Sequence, residues 1–143
     1  MARRHRTSMQ DDEFRQAFEA CSIAPAAFDH AAHVRLAYVY LCGGTVEQAV
    51  GNMRRALLRF LEHHGIPPAK YHETLTRAWI MAVDHFMQRS PDGFGSAAAF
   101  TEACPELLDS RIMLTHYSAE VLFSAAARQS FVEPDVQSIP PPR

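Results

Sequence analysis

The sequence predicts an all-α protein, a single-domain bundle of about five or six helices. Apolar residues recur at the three- and four-residue spacing of a helix in several segments, and residues that favour helix caps stand between these segments. No pair of segments alternates apolar and polar residues as half-buried strands do. The chain has 143 residues, of which 48% are hydrophobic, so it has the length of one domain and enough apolar content for a core.

The helical domain is expected over residues 9–131, between two segments of different composition. Residues 1–8 are basic and polar, so a flexible N-terminus is expected there. Residues 132–143 are too rich in proline for a helix or an inner strand, and an extended or disordered tail is expected.

The first helix is predicted over 11–21, where apolar residues repeat at helical spacing behind an acidic first turn. Asp29 is suited to cap a second helix over 30–41. This helix is apolar on nearly every side and is therefore expected to lie at the centre of the bundle. Arg35 is its main charged residue, so a carboxylate or a bound anion is expected beside the guanidinium.

Thr45 and Gln48 have the spacing of a capping box that starts a third helix, and Gly65 is suited to end it. A fourth helix is predicted over 70–87, with His72 in the middle of its apolar side. An imidazole in that position must be hydrogen-bonded, metal-bound or strongly perturbed, because an unpaired buried polar group costs about 1 to 3 kcal/mol.

Shorter helices are predicted after a turn at residues 90–93. Ser96 is expected to cap one of them, and Pro105 can occupy the first helical position of the apolar piece that follows. Ser118 precedes an alanine-rich segment, so a last helix is predicted from there to about Gln129.

Composition limits the partners and the location. A net charge of -2 provides no field that would attract nucleic acid or an anionic membrane, so a small molecule is the expected partner, and the sequence leaves a homodimer open. No apolar run approaches the about 18 residues of a membrane span, and the N-terminus lacks the hydrophobic part of a signal peptide, so a cytoplasmic location is expected. The three cysteines are far apart and form no Cys-x-x-Cys, which argues against a disulfide framework or a cysteine zinc site.

Histidine is the unusual component, with eight residues in a short chain. Four of them lie in or beside apolar helical surface: His30, His33, His72 and His116. Facing helices of a bundle direct side chains into a shared core, so we expect these imidazoles to converge, with at least three able to bind one divalent ion, zinc or iron, at about 2.0 to 2.1 Å.

Such a site would make the protein a metal-dependent enzyme acting on a small molecule, with hydrolase, lyase and oxygen-using chemistry all open. Glu73, which adjoins His72, and Tyr117, which adjoins His116, are the candidates for moving a proton. No sequence motif indicates a nucleotide cofactor.

Two alternatives remain open for the same histidines. They could form an acid–base or ligand pocket without metal, or each could be hydrogen-bonded to a carbonyl, a threonine or a tyrosine inside the core. In the latter case the protein is a non-catalytic helical module that binds a small ligand or a partner protein. His63 and His64, beside Gly65, are interpreted as helix-capping residues, and His5 and His85 as solvated.

Several motifs occur together over about 28–135: Phe28-x-His30-x-x-His33-Val34-Arg35-Leu36-Ala37, Lys70-Tyr71-His72-Glu73-Thr74-Leu75-Thr76, His116-Tyr117-Ser118 and Ala127-Arg128. This combination resembles a family of small uncharacterised bacterial helical proteins. The resemblance implies no activity. Its matching positions make Arg35 and Arg128 candidates for holding an anionic substrate, with a structural ion pair or a helix-end contact as the alternative for each. Where such proteins often have a polar or acidic residue before the second histidine, this chain has Ala32.

Overall fold

The structure is a computed structural model that describes residues 5–90 and 92–140. Within these ranges it is helical and has no strand, so the predicted all-α class is confirmed. Five helices have seven residues or more, and two are shorter. They are α1 (Met9–Glu19), α2 (His30–Cys42), α3 (Val46–His63), α4 (Glu73–Gln88), α5 (Ala97–Ala103), α6 (Ala119–Leu122) and α7 (Ala125–Gln129).

Every one of these helices begins at a side chain that accepts a hydrogen bond from a backbone N–H of the first turn. The predicted caps at Asp29, Ser96 and Ser118 are confirmed. The predicted capping box of Thr45 and Gln48 is also present. At the end of α3, Gly65 has a φ of 69°, a conformation that favours glycine, as expected for the end of a helix.

Helix α2 lies at the centre of the bundle and packs against α1, α3, α4 and α5. Its residues 36–41 are buried one after another, which means that the helix is covered on every side there. The sequence predicted a central position for α2 because this helix has no polar face, and the structure confirms that position.

Two helix predictions were wrong. The fourth helix begins at Glu73, because a short 3-10 helix occupies Pro68–Lys70 and Tyr71 is extended. The last helix is interrupted at Ser124, whose hydroxyl donates to the carbonyl oxygen of Val121 and accepts from the N–H of Ala127. A serine in an alanine-rich segment can start a new helix in this way, because its side chain bonds the local backbone.

The N-terminal segment of residues 5–8 packs against the bundle. The ring Nε2 of His5 donates to the carbonyl oxygen of Met87 at 2.8 Å, and Ser8 caps α1. The backbone of Arg6 is held from two sides, since its N–H donates to Phe94 and its carbonyl accepts from the Tyr38 hydroxyl. The prediction of a solvated His5 was therefore wrong. Residues 1–4 of the predicted flexible N-terminus lie outside the described residues.

The C-terminal segment of residues 132–140 has no helix or strand, in agreement with the predicted extended tail. It is attached to the bundle, because the N–H groups of Val136 and Gln137 both donate to the carbonyl oxygen of His116. Ile139 lies in the core with 5% of its surface exposed. Residues 141–143 lie outside the described part of the chain. None of the described helices is both long and apolar enough for a membrane span.

The Asp11 carboxylate connects three helices. Asp11 is 1% exposed, and its oxygens accept from Arg35 Nε of α2 at 3.0 Å, from the N–H of Ala97 at the start of α5 at 2.9 Å, and from the N–H of Ser8 at 3.1 Å. Burial by itself raises the pKa of this carboxyl group, but the hydrogen bonds from Ala97 and Ser8 and the Arg35 guanidinium outweigh burial and lower the pKa below its ordinary value.

Replacing Asp11 by asparagine should lower the free energy of unfolding by about 2 to 3 kcal/mol at pH 7, because the buried charge that satisfies three donors is lost. A carboxyl group with a lowered pKa in the folded state stabilises the fold fully above its unfolded value of about 3.9 and loses this effect as the pH falls through the folded value. The difference between wild type and Asp11→Asn should therefore shrink below about pH 4.

Urea unfolding followed by circular dichroism at pH 7 and pH 3 measures this difference. Glu13→Gln is the matched control, because Glu13 lies in the same helix and is exposed. Equal unfolding free energies for the two variants at pH 7 would show that the Asp11 contacts contribute nothing.

Candidate functional site

His72 lies at the N-cap of α4 and not on the apolar side of a helix, so the predicted position was wrong. Its Nδ1 accepts from the N–H of Leu75 at 3.1 Å, and its Nε2 donates to the carbonyl oxygen of Leu122 at 2.7 Å. Burial, which disfavours the imidazolium form, lowers the pKa of His72. The ring is therefore a neutral tautomer whose two nitrogens both have protein partners.

His30 and His116 are also bonded to distant backbone carbonyls. His30 Nε2 donates to Leu107 at 2.9 Å, and its ring lies against Trp79 with the ring centroids 4.4 Å apart. His116 Nδ1 donates to Gln137 at 2.8 Å. Each of these histidines attaches a segment with little regular structure to the helical bundle.

His33 differs from the other three predicted ligands, because its Nε2 is buried and has no hydrogen-bond partner among the described residues. Burial, with a smaller contribution from His30, lowers the pKa of His33 to about 4. Its ring contacts Phe28 at a centroid distance of 6.0 Å. His33 is therefore neutral at physiological pH and has a buried ring nitrogen without a partner among the described residues.

The predicted convergence of three imidazoles is not found: within residues 5–90 and 92–140, no three His, Cys, Asp or Glu side chains are arranged to hold one metal ion. His72 could bind an ion only by giving up one of its two hydrogen bonds. Metal binding itself stays a prediction, because only a measurement on the protein tests it.

The two predicted proton-transfer residues make structural contacts. Glu73 accepts from Arg54 Nε at 2.9 Å and from the Tyr71 hydroxyl at 2.7 Å. The hydrogen bond from Arg54 is the main reason why the pKa of Glu73 is lowered. Tyr117 is fully buried and donates to the carbonyl oxygen of Val132 at 2.6 Å, and burial raises its pKa to about 12.

The two predicted anion-binding arginines also have protein partners. Arg35 donates to Asp11, and its guanidinium lies 4.6 Å from the centroid of the Phe14 ring. The carboxylate expected beside Arg35 is thus present in the protein itself. Arg128 Nη1 donates to the carbonyl oxygen of Ala69 at 3.4 Å. These contacts agree with the alternative that Arg35 and Arg128 form structural contacts and do not hold a substrate.

A pocket of about 590 Å³ lies between the N-terminal segment, α1, the end of α2 and α3. Its wall contains charged and polar side chains from the N-terminal segment and α1, with Tyr40 and Asn52 from α2 and α3. Those of the N-terminal segment and α1 are His5, Arg6, Thr7, Asp12, Arg15 and Glu19. We name this cavity the α1 pocket.

At one end of the α1 pocket, both carboxylate oxygens of Glu19 are hydrogen-bonded to neighbouring side chains. One carboxylate oxygen accepts from the Tyr40 hydroxyl at 2.6 Å, and the other accepts from Arg15 Nη1 at 2.7 Å. Burial, followed by the hydrogen bond to Glu19, raises the pKa of Tyr40, which therefore stays protonated. This end of the pocket has no charge that still requires a partner.

At the other end of the α1 pocket, two charged side chains can still form hydrogen bonds with a ligand. The Thr7 hydroxyl donates to Asp12 Oδ1 at 2.9 Å, while no hydrogen bond reaches Oδ2 in the described structure. The Arg6 guanidinium has neither a hydrogen bond nor an ion pair with any residue in 5–90 or 92–140. A cation and a carboxylate are therefore both available to a ligand at this end.

No pattern in the sequence indicates this pocket. Asp12, Arg15 and Glu19 do share one face of α1, at spacings of three and four residues. A charged stripe of that kind is typical of a solvated helix face, and nothing local indicates that other elements enclose it. Comparison of the chain with family models, with curated proteins and with solved structures finds no match.

Replacing His72 by alanine should lower the free energy of unfolding by about 2 to 3 kcal/mol, because the cap of α4 and the bond to Leu122 are both lost. His72→Asn keeps a side chain suited to an N-cap and should recover about 1 kcal/mol of this loss. Urea unfolding of the three proteins measures the difference. An alanine variant as stable as wild type would contradict the structural role.

His33 should make the fold sensitive to mild acid. Its folded pKa of about 4 lies below the unfolded value of about 6.5, so the unfolded chain binds the proton more readily. The free energy of unfolding should therefore fall as the pH is lowered from about 6.5 to about 4. His33→Leu should reduce this slope, whereas the exposed control His63→Gln should not. Parallel slopes for wild type and His33→Leu would refute the assignment.

Proposed function

We propose that this protein is a non-catalytic helical module that binds a small polar ligand in the α1 pocket. The observation that carries the proposal is a concave site lined by charges that the described residues leave unused. Within 5–90 and 92–140 the Arg6 guanidinium has no hydrogen bond or ion pair, and Asp12 accepts a side-chain hydrogen bond at only one carboxylate oxygen. A volume of about 590 Å³ falls within the range of about 300 to 1,000 Å³ that is usual for ligand pockets.

The environment of the histidines supports a binding role over catalysis. Three of the four predicted ligands donate to backbone carbonyls, and Glu73 is held by Arg54 and Tyr71. Groups fixed in this way contribute to the fold, and a carboxylate with a lowered pKa is a weak base at neutral pH.

A metal-dependent enzyme is the second candidate, and the observation that favours it is the free Nε2 of His33. A buried polar atom without a partner is unusual and can mark a ligand site. Metal analysis of protein purified without a histidine tag separates the two candidates: stoichiometric zinc or iron that is lost in His33→Ala would favour the enzyme.

The binding function is tested by thermal-shift measurements with separate panels of amino acids, nucleotides, sugar phosphates and polyamines. At least one class should raise the melting temperature, since a ligand at 100 times its Kd stabilises the folded state by about 2.7 kcal/mol. Gly43→Phe should abolish this shift, because the new ring would occupy the α1 pocket.

Gly43 has space for a Cβ, which would meet only the Tyr40 carbonyl oxygen, at 3.8 Å; the melting temperature of the free variant shows whether the ring is accommodated. Gly95→Phe is the matched control, because Gly95 has open space around its Cβ position and does not line the α1 pocket. The proposal fails if no class shifts the wild type, or if the shift is the same in Gly43→Phe.

A further inference from the structure

The arrangement of charge in the α1 pocket indicates the class of ligand. Asp12, Arg15 and Glu19 lie on one face of α1, and the first and last are about 10 Å apart along the helix axis at a rise of about 1.5 Å per residue. Arg6 precedes them in the N-terminal segment. The pocket wall therefore alternates positive, negative, positive and negative charge.

Among the charged residues that line the α1 pocket, Arg6, which is exposed, and Asp12 are the two with charge left for a ligand within the described structure. Arg15 and Glu19 neutralise each other, and the second oxygen of Glu19 is taken by Tyr40. A ligand with only an anionic group would pair with Arg6 but would face Asp12, and a ligand with only a cationic group would face Arg6. The two available charges are best matched by one ligand that carries both signs.

The backbone around Arg6 and Thr7 is fixed before any ligand binds. The Arg6 N–H donates to the carbonyl oxygen of Phe94 at 2.8 Å, and the Arg6 carbonyl accepts from the buried Tyr38 hydroxyl at 2.8 Å. The Thr7 hydroxyl in turn orients Asp12. Positions fixed in advance reduce the entropy lost on binding.

The end of α2 adds to the preference for an ammonium group in the α1 pocket. Val39, Tyr40 and Gly43 of this end line the α1 pocket. The C-terminus of a helix carries partial negative charge on its free carbonyl groups, which stabilises a nearby cation. For the opposite charge, the planar guanidinium of Arg6 matches a carboxylate, with which it can form two parallel hydrogen bonds.

We infer that the α1 pocket binds the zwitterionic group of a free amino acid or a short peptide, with Arg6 holding the carboxylate and Asp12 the ammonium. This inference rests on the proposed binding function and names its ligand class. Both charged groups can belong to one amino acid or to the two ends of a dipeptide, and the volume of the pocket leaves room for a side chain.

Isothermal titration calorimetry with the twenty L-amino acids and with their homodipeptides tests the inference. At least one compound should bind the wild type at millimolar concentration or below. Its N-acetylated form and its carboxamide form, each lacking one charge, should bind at least about tenfold more weakly, since the loss of one charged hydrogen-bonded pair costs about 1.5 to 3 kcal/mol. Preference for the free amino acid or for the dipeptide identifies the source of the two charges.

Arg6→Gln and Asp12→Asn should each weaken binding of the same compound at least about tenfold while the melting temperature of the free protein stays within a few degrees. The Arg6 side chain is exposed and makes no hydrogen bond or ion pair within 5–90 and 92–140, so Arg6→Gln should leave the fold intact, which its melting temperature checks. Arg59→Gln and Glu13→Gln are matched controls on exposed residues outside the pocket and should bind as the wild type does.

Three results would overturn the inference: no amino acid or dipeptide binds, the N-acetylated or carboxamide form binds as tightly as the parent compound, or Arg6→Gln has no effect. Inorganic phosphate and spermidine serve as probes with one sign of charge. If one of them binds in the α1 pocket and no zwitterion does, the proposed binding function stands while the inference about the ligand class fails.

Discussion

The carboxylate of Asp11 joins elements that lie far apart in the chain. Its partners are the backbone of Ser8, the Arg35 side chain of the central helix and the backbone of Ala97, 86 positions further along the chain. A buried carboxylate with these three donors fixes how α1 and α5 meet α2. Asp12, the next residue of α1, lines the α1 pocket together with the end of α2, so the position of this pocket wall follows from how Asp11 attaches α1.

The histidines have a comparable role in the second half of the chain. His30, His72 and His116 each donate to a backbone carbonyl that is 77, 50 or 21 positions away. Those carbonyls belong to a short 3-10 helix (Pro105–Leu108), to the end of a four-residue helix and to the extended C-terminal segment. Such segments form few regular backbone bonds of their own, and the imidazoles supply some of the missing partners.

The helices could largely be predicted from the sequence because their signals are local. Asp29, Thr45 and Ser96 lie next to the segments that they cap, and a side chain that bonds the backbone three residues later leaves a short pattern. The start of α4 was misplaced for a related reason. Its cap is a histidine, which is not among the usual capping residues, and the helical spacing of apolar residues continues across the true boundary.

The candidate site could not be predicted in the same way, because its parts become neighbours only through the fold. The sequence contains the charged face of α1, but that face becomes the wall of a pocket only where residues 5–8 lie beside it and the end of α2 opposes it. Residues 5–8 are held there by Met87, Phe94 and Tyr38, all remote in sequence. Basic, polar residues at a terminus carry no sign of such contacts, since their partners are backbone atoms and a hydroxyl group elsewhere in the chain. The function proposed for this protein therefore depends on a segment whose composition alone indicates a free end.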